Sequence, residues 1–272
     1  MSPSLTVYQQ HHLRVVFDHH VAHLYPAMVT ASKAHVVMLA EQGLISDEAA
    51  ATMLRGLVAL AGDRPEELEY EGSVEDIYYT LEKRLAAAAG IEVSQLSVQL
   101  ARSRNDLDAG VFRMVLRDQL LQVLDALLAT GRTVLDRADR HADVVITGYT
   151  HRRPAQPTSI GHVFAGYAEA LAGEAAAYAG LLDEMNRSPL GSCAFAGTDL
   201  DISPRRLAAA VRPELVLRRA QGDGPGEAAV RDQVGRLSTM LDAVQERAQG
   251  LRERLTRADA ALAEAVAARV GP

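Results

Sequence analysis

The run Arg102-Ser103-Arg104-Asn105-Asp106 brings two guanidinium groups, a hydroxyl and a carboxamide to the start of a long helical pattern. The first turn of a helix offers unpaired N–H groups and the positive end of its dipole, and arginine adds paired donors for a planar anion. These residue types suit the binding of a carboxylate. Serine, asparagine and aspartate are also ordinary helix N-caps and paired arginines are usually solvated, so the run alone leaves a structural role open.

A histidine in a predicted turn is the second candidate for chemistry. The loop 148–157 contains Thr150 and His151 between two long helical segments. An imidazole held there can accept or donate a proton near neutral pH, and the adjacent hydroxyl can orient a carboxylate. Turn histidines are more often surface or cap residues, so that alternative also stays open. His19 and His23, one helical turn apart, form a weaker candidate for a metal site, because no metalloprotease pattern surrounds them.

Helical periodicity dominates the elements that must position these residues. Ser46 predicts the N-cap of one helix, Ser73 with Asp76 has the spacing of a capping box, and Gly90 predicts a helix end. An apolar stripe predicts one long helix over 106–141. A second helical segment is predicted from about Ser159 to Asn186, ended by Pro189-Leu190-Gly191. No alternating pattern is long enough to predict a sheet. A heptad pattern from Val230 to Leu262 predicts a C-terminal helix, packed either on its own domain or in an intermolecular coiled coil.

Composition excludes several classes of protein. The 272 residues have a formal charge of −7, which argues against nucleic acid as the main partner. Cys193 is the only cysteine, so an internal disulfide is impossible and a reducing, cytoplasmic location fits best. No segment is apolar over the ~18 residues needed to span a bilayer, so no membrane is expected. Tryptophan is absent.

Several runs of residues follow the order and approximate spacing of one known family. They lie between about residues 10 and 206 and include Glu75-Asp76-Ile77, Arg102-Ser103-Arg104-Asn105-Asp106, Gly148-Tyr149-Thr150-His151 and Asn186-Arg187-Ser188-Pro189-Leu190-Gly191. In these runs the chain resembles the argininosuccinate lyases of the fumarase/aspartase superfamily. Because several ordered matches are hard to obtain by chance, the chain is identified as a member of that family.

The resemblance implies an all-α fold: a fumarase/aspartase-like bundle of long helices, truncated here, with the heptad-patterned helix at the C-terminus. Family members cleave argininosuccinate to arginine and fumarate, and their sites form between the subunits of a tetramer. Carried over by position, Asn105 and Thr150 bind the succinyl part of the substrate, and His151 is the general acid or base. We expect no metal and no cofactor.

Three departures from the family pattern accompany this resemblance. The substrate-binding serine expected near the N-terminus has no match around Arg14 to Asp18. Where the family reads His-Thr-Gly before the arginine-rich run, this chain has Gln99-Leu100-Ala101. The family's mobile Gly-Ser-Ser loop, followed by Met-Pro and a lysine, carries the serine that partners the histidine in proton transfer, and it has no match here. An internal deletion joined near Ala208 to Val211 accounts for this absence. Identical subunits repeat the deletion, so exchange between them cannot restore the serine.

We therefore expect an N-terminal helical domain over 1–105, a partial central helical bundle over 106–206, and a C-terminal linker and long helix over 207–272. The expected function is that of an argininosuccinate lyase-like carbon-nitrogen lyase, which releases fumarate from a succinyl-nitrogen adduct, with arginine as co-product in arginine biosynthesis. The alternative is a catalytically silent helical assembly or ligand-binding protein derived from this family. The expected partners are a dicarboxylate or argininosuccinate-like substrate and further subunits, in a homo-oligomer or a hetero-oligomer with a full-length homologue.

Overall fold

The computed structural model describes residues 6–72, 74–185 and 187–210, with Thr239, Asp242 and Ala243. These residues fall into two compact units. Unit 1 extends to Asp118 and resumes at Met185, whereas unit 2 contains Gln119–Glu184 with Thr239, Asp242 and Ala243. The three-part domain division stays a prediction, and almost all of the predicted heptad helix lies outside the described residues.

Helices make up most of the described chain. After a π-helical turn at Gln9–Leu13, the elements in chain order are α1 (Arg14–His23), α2 (Tyr25–Glu41), α3 (Asp47–Leu60), α4 (Ile77–Ala89), α5 (Arg104–Arg140), β1 (Val145–Thr150), β2 (Arg153–Ser159), α6 (Ile160–Met185) and α7 (Pro204–Ala210). Short 3-10 turns occupy Pro65–Glu67 and Val93–Gln95. The predicted helical class is confirmed, and none of the described helices is long and apolar enough to cross a membrane.

Local capping signals define the ends of the helices in unit 1. Ser46 caps α3 as predicted, because its Oγ accepts a hydrogen bond from the Ala49 N–H at 3.2 Å. Gly90 ends α4 in the left-handed conformation, with a φ of 68°. The predicted capping box is displaced, since Asp76 itself caps α4 through the Tyr78 N–H and Ser73 lies outside the described residues.

One hydrophobic core joins α1 to α4 and the first turns of α5. Its fully buried members include Phe17, Met28, Leu57, Leu81 and Leu107. Burial of each such side chain contributes about 1.5–3 kcal/mol to the free energy of unfolding. Because Leu107 belongs to this core, the start of α5 is fixed on unit 1.

In unit 2, α5 and α6 pack through small side chains. Leu135 and Ala138 of α5 bury against Ala165, Ala168 and Ala172 of α6. The sequence predicts both long helices, and the observed bounds lie within a few residues of the predicted ones. Alanine-lined contacts let the two backbones approach closely, as the composition indicates.

A β-hairpin connects α5 to α6, and the prediction of no sheet is wrong here. Strands β1 and β2 pair antiparallel from Val145↔Ser159 to Thr150↔Arg153, with an irregularity between Thr147 and Tyr149. The strands are mostly exposed on both faces, so no alternation of apolar and polar residues marks them. The prolines of β2 also argue against a strand in the sequence, although an edge strand tolerates them.

Candidate active site

Arg102 is buried immediately before α5, with 8% of its surface exposed. Its Nε donates to Gln99 Oε1 at 2.9 Å. Its Nη1 donates to Ser32 Oγ at 3.3 Å and its Nη2 to the Tyr78 hydroxyl at 3.4 Å. All three nitrogens therefore have partners inside unit 1, and the interpretation of this guanidinium as a carboxylate receptor is wrong.

His35 belongs to the same buried polar layer. It is 2% exposed, and its Nε2 lies 2.7 Å from the carbonyl oxygen of Leu100. Burial, assisted by the charge of Arg102, lowers the pKa of His35 to about 3. The imidazole is therefore neutral at physiological pH, and its Nε2–H donates to the Leu100 carbonyl. This histidine supports the segment before α5 and does not exchange protons near neutrality.

Arg104, the first residue of α5, is also paired within unit 1. Its Nη1 contacts Asp76 and lies 3.3 Å from Glu75 Oε2, and its guanidinium carbon lies 5.2 Å from the centre of the Tyr79 ring. The hydrogen bond to Asp76 raises the pKa of Arg104 above its ordinary value. The predicted anion site thus loses both guanidinium groups to structural ion pairs and hydrogen bonds.

Asn105 is the exposed polar group of this run. Its backbone N–H donates to Ser103 Oγ at 3.2 Å, which caps the helix. Its carboxamide Nδ2 donates to the carbonyl oxygen of Ala194 at 3.2 Å. The side chain is therefore held by a single contact at the surface of unit 1, where a ligand can reach it.

Asp106 connects the start of α5 to a distant loop. The side chain is 2% exposed, and Oδ1 accepts from the Ser103 N–H at 2.9 Å. Oδ2 accepts from the N–H groups of Gly191 and Cys193, at 3.0 and 3.1 Å. The sequence indicated a helix cap at this position but did not predict the second, long-range set of bonds.

The loop 189–198 lies against the first turns of α5. Leu190 is buried, and a Cβ atom on Gly110 would approach its Cγ to 3.0 Å. Cys193 Sγ contacts the carbonyl oxygen of Ala101 at 3.2 Å, and burial raises the pKa of this thiol. Phe195 follows the Ala194 carbonyl and is 89% exposed. A well-fixed loop thus displays an exposed aromatic side chain one residue after the carbonyl that Asn105 contacts.

Two further titratable groups lie near the same turn of α5. Burial raises the pKa of Asp108 to about 6, and the charge of Asp76 adds to the shift. His20 of α1 has a lowered pKa because of burial and the neighbouring His19. Its Nδ1 is buried and has no hydrogen-bond partner among the described residues. The sequence signalled neither shift, because each depends on tertiary packing.

No metal centre is evident among the residues that the structure describes, where no group of three or more His, Cys, Asp or Glu side chains is placed to hold an ion. His19 and His23 share a face of α1, with ring centres 4.9 Å apart. The pair therefore offers two imidazoles and no third ligand in this part of the chain.

Thr150 and His151 lie at the tip of the hairpin in unit 2. Thr150 ends β1, and His151 with Arg152 forms the two-residue connection to β2. Both connecting residues have positive φ, 47° for His151 and 64° for Arg152. Type I′ turns require this geometry and favour Asn-Gly, so a His-Arg pair there is strained. The side chains of Thr150 and His151 are exposed and open to a ligand.

The predicted site residues are therefore divided between the units. Asn105 belongs to unit 1, and Thr150 with His151 belongs to unit 2. The structure brings Thr150 and His151 together on one turn, and it brings Asn105 together with the 189–198 loop. Asn186, part of the fourth motif, lies outside the described residues.

Comparison with known proteins identifies the family. A family model described as lyase matches residues 6–251. The chain belongs to this lyase family. The argininosuccinate lyase of Methanosarcina mazei is 33% identical over 183 residues, which cover 67% of this chain and 37% of that protein. Argininosuccinate lyase 2 of Agrobacterium fabrum is 34% identical over 209 residues, 74% of this chain and 40% of that protein.

Solved structures of the lyase superfamily agree with this assignment. EDDS lyase in complex with formate matches with a TM-score of 0.61 and 33% identity, over 76% of this chain and 40% of that one. The class II fumarase of Schistosoma mansoni matches with a TM-score of 0.57 at 15% identity, a likeness of fold alone. The recognition of an argininosuccinate lyase relative and the predicted fold class are confirmed. The chain spans about two-fifths of the length of the curated relatives it matches.

Proposed function

We propose that this lyase-family chain serves in a carbon-nitrogen lyase that releases fumarate from a succinyl-nitrogen adduct. The observation that carries the proposal is His151, an exposed imidazole beside the Thr150 hydroxyl on a strained hairpin tip, within a chain that matches the lyase family. Strained backbone at positive φ persists where the surrounding structure imposes it, and such strain clusters at functional sites.

The chemistry assigned to these residues is a β-elimination. A base removes a proton from the carbon beside one carboxylate, the carbon-nitrogen bond breaks, and its electron pair leaves with the nitrogen, which takes up a proton. His151 would act as the general acid or base in one of these transfers. Thr150 and Asn105 would hold the succinyl carboxylates by hydrogen bonds that strengthen as negative charge develops.

Argininosuccinate is the first substrate to test, with arginine as the expected co-product and arginine biosynthesis as the expected role. Two relatives are named argininosuccinate lyases, and a similar solved structure is an EDDS lyase. EDDS is therefore the second substrate to test.

A second candidate function follows from one observation on the sequence. No Gly-Ser-Ser loop followed by Met-Pro and a lysine occurs in the 272 residues. A chain without that serine would retain assembly surfaces and ligand binding without turnover. Under the lyase proposal, by contrast, a full-length homologue in the same oligomer would supply the missing group, since the sites of this family form between subunits.

Fumarate release, followed by ultraviolet absorbance, tests the proposal. The purified chain is mixed with argininosuccinate or EDDS, alone and together with a full-length homologue whose own general acid or base histidine has been replaced. We expect turnover in at least one mixture and its loss in His151→Ala. His11→Ala, an exposed histidine of the N-terminal π-helical turn, is the matched control and should keep the wild-type rate.

The two candidate functions give different outcomes in this assay. Turnover by the pure chain that disappears in His151→Ala contradicts the silent-assembly alternative. No turnover in any mixture, together with thermal stabilisation by fumarate, contradicts the lyase proposal and supports ligand binding.

A further inference from the structure

The bonds of Asp106 join two segments that are distant in sequence. Its carboxylate accepts one N–H from its own helix start and two from residues 85 and 87 positions later, Gly191 and Cys193. Hydrogen bonds to a buried carboxylate are stronger than those between neutral groups. The bond from Ser103 belongs to the start of α5, whereas the other two hold the distant loop against it.

The loop has further contacts that place it in register with α5. Leu190 packs against Gly110, and Cys193 Sγ contacts the Ala101 carbonyl just before α5. Gly197 N–H donates to the Ser192 carbonyl at 2.9 Å, which closes the turn that carries Ala194. Because Cys193 is bonded to Asp106 and the bond from Gly197 to Ser192 closes the turn, the Ala194 carbonyl has a defined position.

That carbonyl orients the carboxamide of Asn105. Nδ2 carries two N–H groups, and the Ala194 oxygen accepts one of them at 3.2 Å. Because the amide is planar, this bond also sets the direction of the second N–H and of Oδ1. The exposed side chain therefore presents a donor in one orientation.

We propose that Asp106 is a positioning residue for Asn105. Asp106 acts by fixing the 189–198 loop, so that the Ala194 carbonyl orients the Asn105 carboxamide toward a carboxylate ligand. The ligand part of this proposal rests on the proposed function. The hydrogen bonds by which Asp106 holds Gly191 and Cys193 are called the clamp below. The effect of removing the clamp can be measured without any ligand.

Asp106→Ser in the full chain tests the clamp, because serine keeps a short acceptor near the Ser103 N–H and cannot reach the loop. Cys193 is the only cysteine, so the rate of its reaction with a disulfide reagent reports this loop alone. We expect that rate to rise at least about tenfold, in line with the loss of hydrogen bonds to a charged group. Asp118→Ser, an exposed aspartate of the same helix, should leave the rate unchanged.

The orientation of Asn105 has its own spectroscopic readout. Asn105 and Asn186 are the only asparagines, so selective ¹⁵N labelling of asparagine gives two side-chain amide pairs in the NMR spectrum. In Asp106→Ser, the pair from Asn105, assigned with Asn105→Ala, should move to free-amide positions. An unchanged Asn105 pair contradicts the positioning role, even where Cys193 reacts faster.

Fumarate affinity, measured by the same spectra, separates this proposal from the proposed function. Where the wild type binds fumarate, Asp106→Ser should weaken binding about as much as Asn105→Ala, at least about tenfold. Asn105→Ala should leave the rate at which Cys193 reacts with the disulfide reagent unchanged. The two variants therefore distinguish loss of the Asn105 side chain from loss of the bonds between Asp106 and the loop. Absence of fumarate binding by the wild type counts against the proposed function, whereas the amide signal still decides the positioning role.

Discussion

At the scale of single residues, Ala101 has a strained backbone conformation. Its φ is 55°, although the related family has glycine at this place. The left-handed conformation costs a residue with a Cβ roughly 1–2 kcal/mol, and glycine avoids this cost. Glycine also increases the conformational entropy of the unfolded chain, which offsets part of the benefit. Ala101→Gly should therefore raise the free energy of unfolding by about 0.5–1 kcal/mol. Chemical denaturation measures this, and Ala109→Gly on the exposed face of α5 should instead lower stability by about 1 kcal/mol.

Asp108 makes stability depend on pH. Its pKa is raised to about 6 in the folded chain, from about 4 when unfolded, so the folded state binds more protons between these values. Stability contributed by the protonated carboxyl is complete below pH ~4 and is lost as the pH rises through ~6. Asp108→Asn should match the wild type at pH ~4 and exceed it at pH 7 by about 1 kcal/mol, a value reduced because the side chain is partly solvated.

Denaturation of both chains across this pH range checks the sign of the Asp108 effect. The difference should grow between pH ~4 and ~6 and then stay constant. Asp118→Asn is the control on the same helix. A difference that shrinks as the pH rises would contradict the assignment.

At the scale of elements, the contact between α5 and α6 in unit 2 depends on Gly161. A Cβ atom there would lie 2.5 Å from the Ala142 Cα and 2.6 Å from the Ala138 oxygen, both of them backbone atoms. Gly161→Ala should therefore destabilise the protein by about 2 kcal/mol through overpacking. Gly166→Ala, where nothing lies within 4 Å of the new atom, should stabilise it by about 0.5–1 kcal/mol. Thermal unfolding of the two variants should move in opposite directions.

The elements also show which parts of the fold can be predicted from the sequence and which cannot. The cap at Ser46, the helix end at Gly90 and the long helix α5 follow from local chemistry and an apolar stripe, and all three are confirmed. The hairpin was missed because both strands are exposed, so no burial pattern marks them. The partners of Arg102 could not be predicted either, since the sequence does not show whether a guanidinium binds a ligand or, as here, Ser32 and Tyr78.

Asp106 illustrates the same limit within the candidate site. The spacing of Ser103 and Asp106 is typical of a helix start, and Asp106 accepts the hydrogen bond from the Ser103 N–H that this spacing allows. Its role as an anchor for Gly191 and Cys193 needs contacts between segments more than 80 residues apart. The placement of Asn105, Thr150 and His151 in a working site stays a prediction.

At the scale of the whole molecule, apolar side chains on α5 are exposed in the part of the chain that the structure describes. Phe112 is 40% exposed and Leu116, one helical turn later, is 43% exposed. We expect these side chains to be buried between subunits, so the native protein should have a mass above the 29.2 kDa of one chain. The double variant Phe112→Lys with Leu116→Lys should lower that mass in light scattering. Asp118→Lys, on another face of the helix, should leave it unchanged.

The aromatic ring displayed by the 189–198 loop also has an optical consequence. The chain contains no tryptophan, so it has no indole fluorescence of its own. Phe195 is 89% exposed beside the carbonyl that holds Asn105, and an indole fits such an open position without repacking. In Phe195→Trp, one emitter would therefore report solvent polarity at this point of the surface. Binding of a substrate, an inhibitor or another subunit at this point would shift the wavelength of maximum emission of the indole.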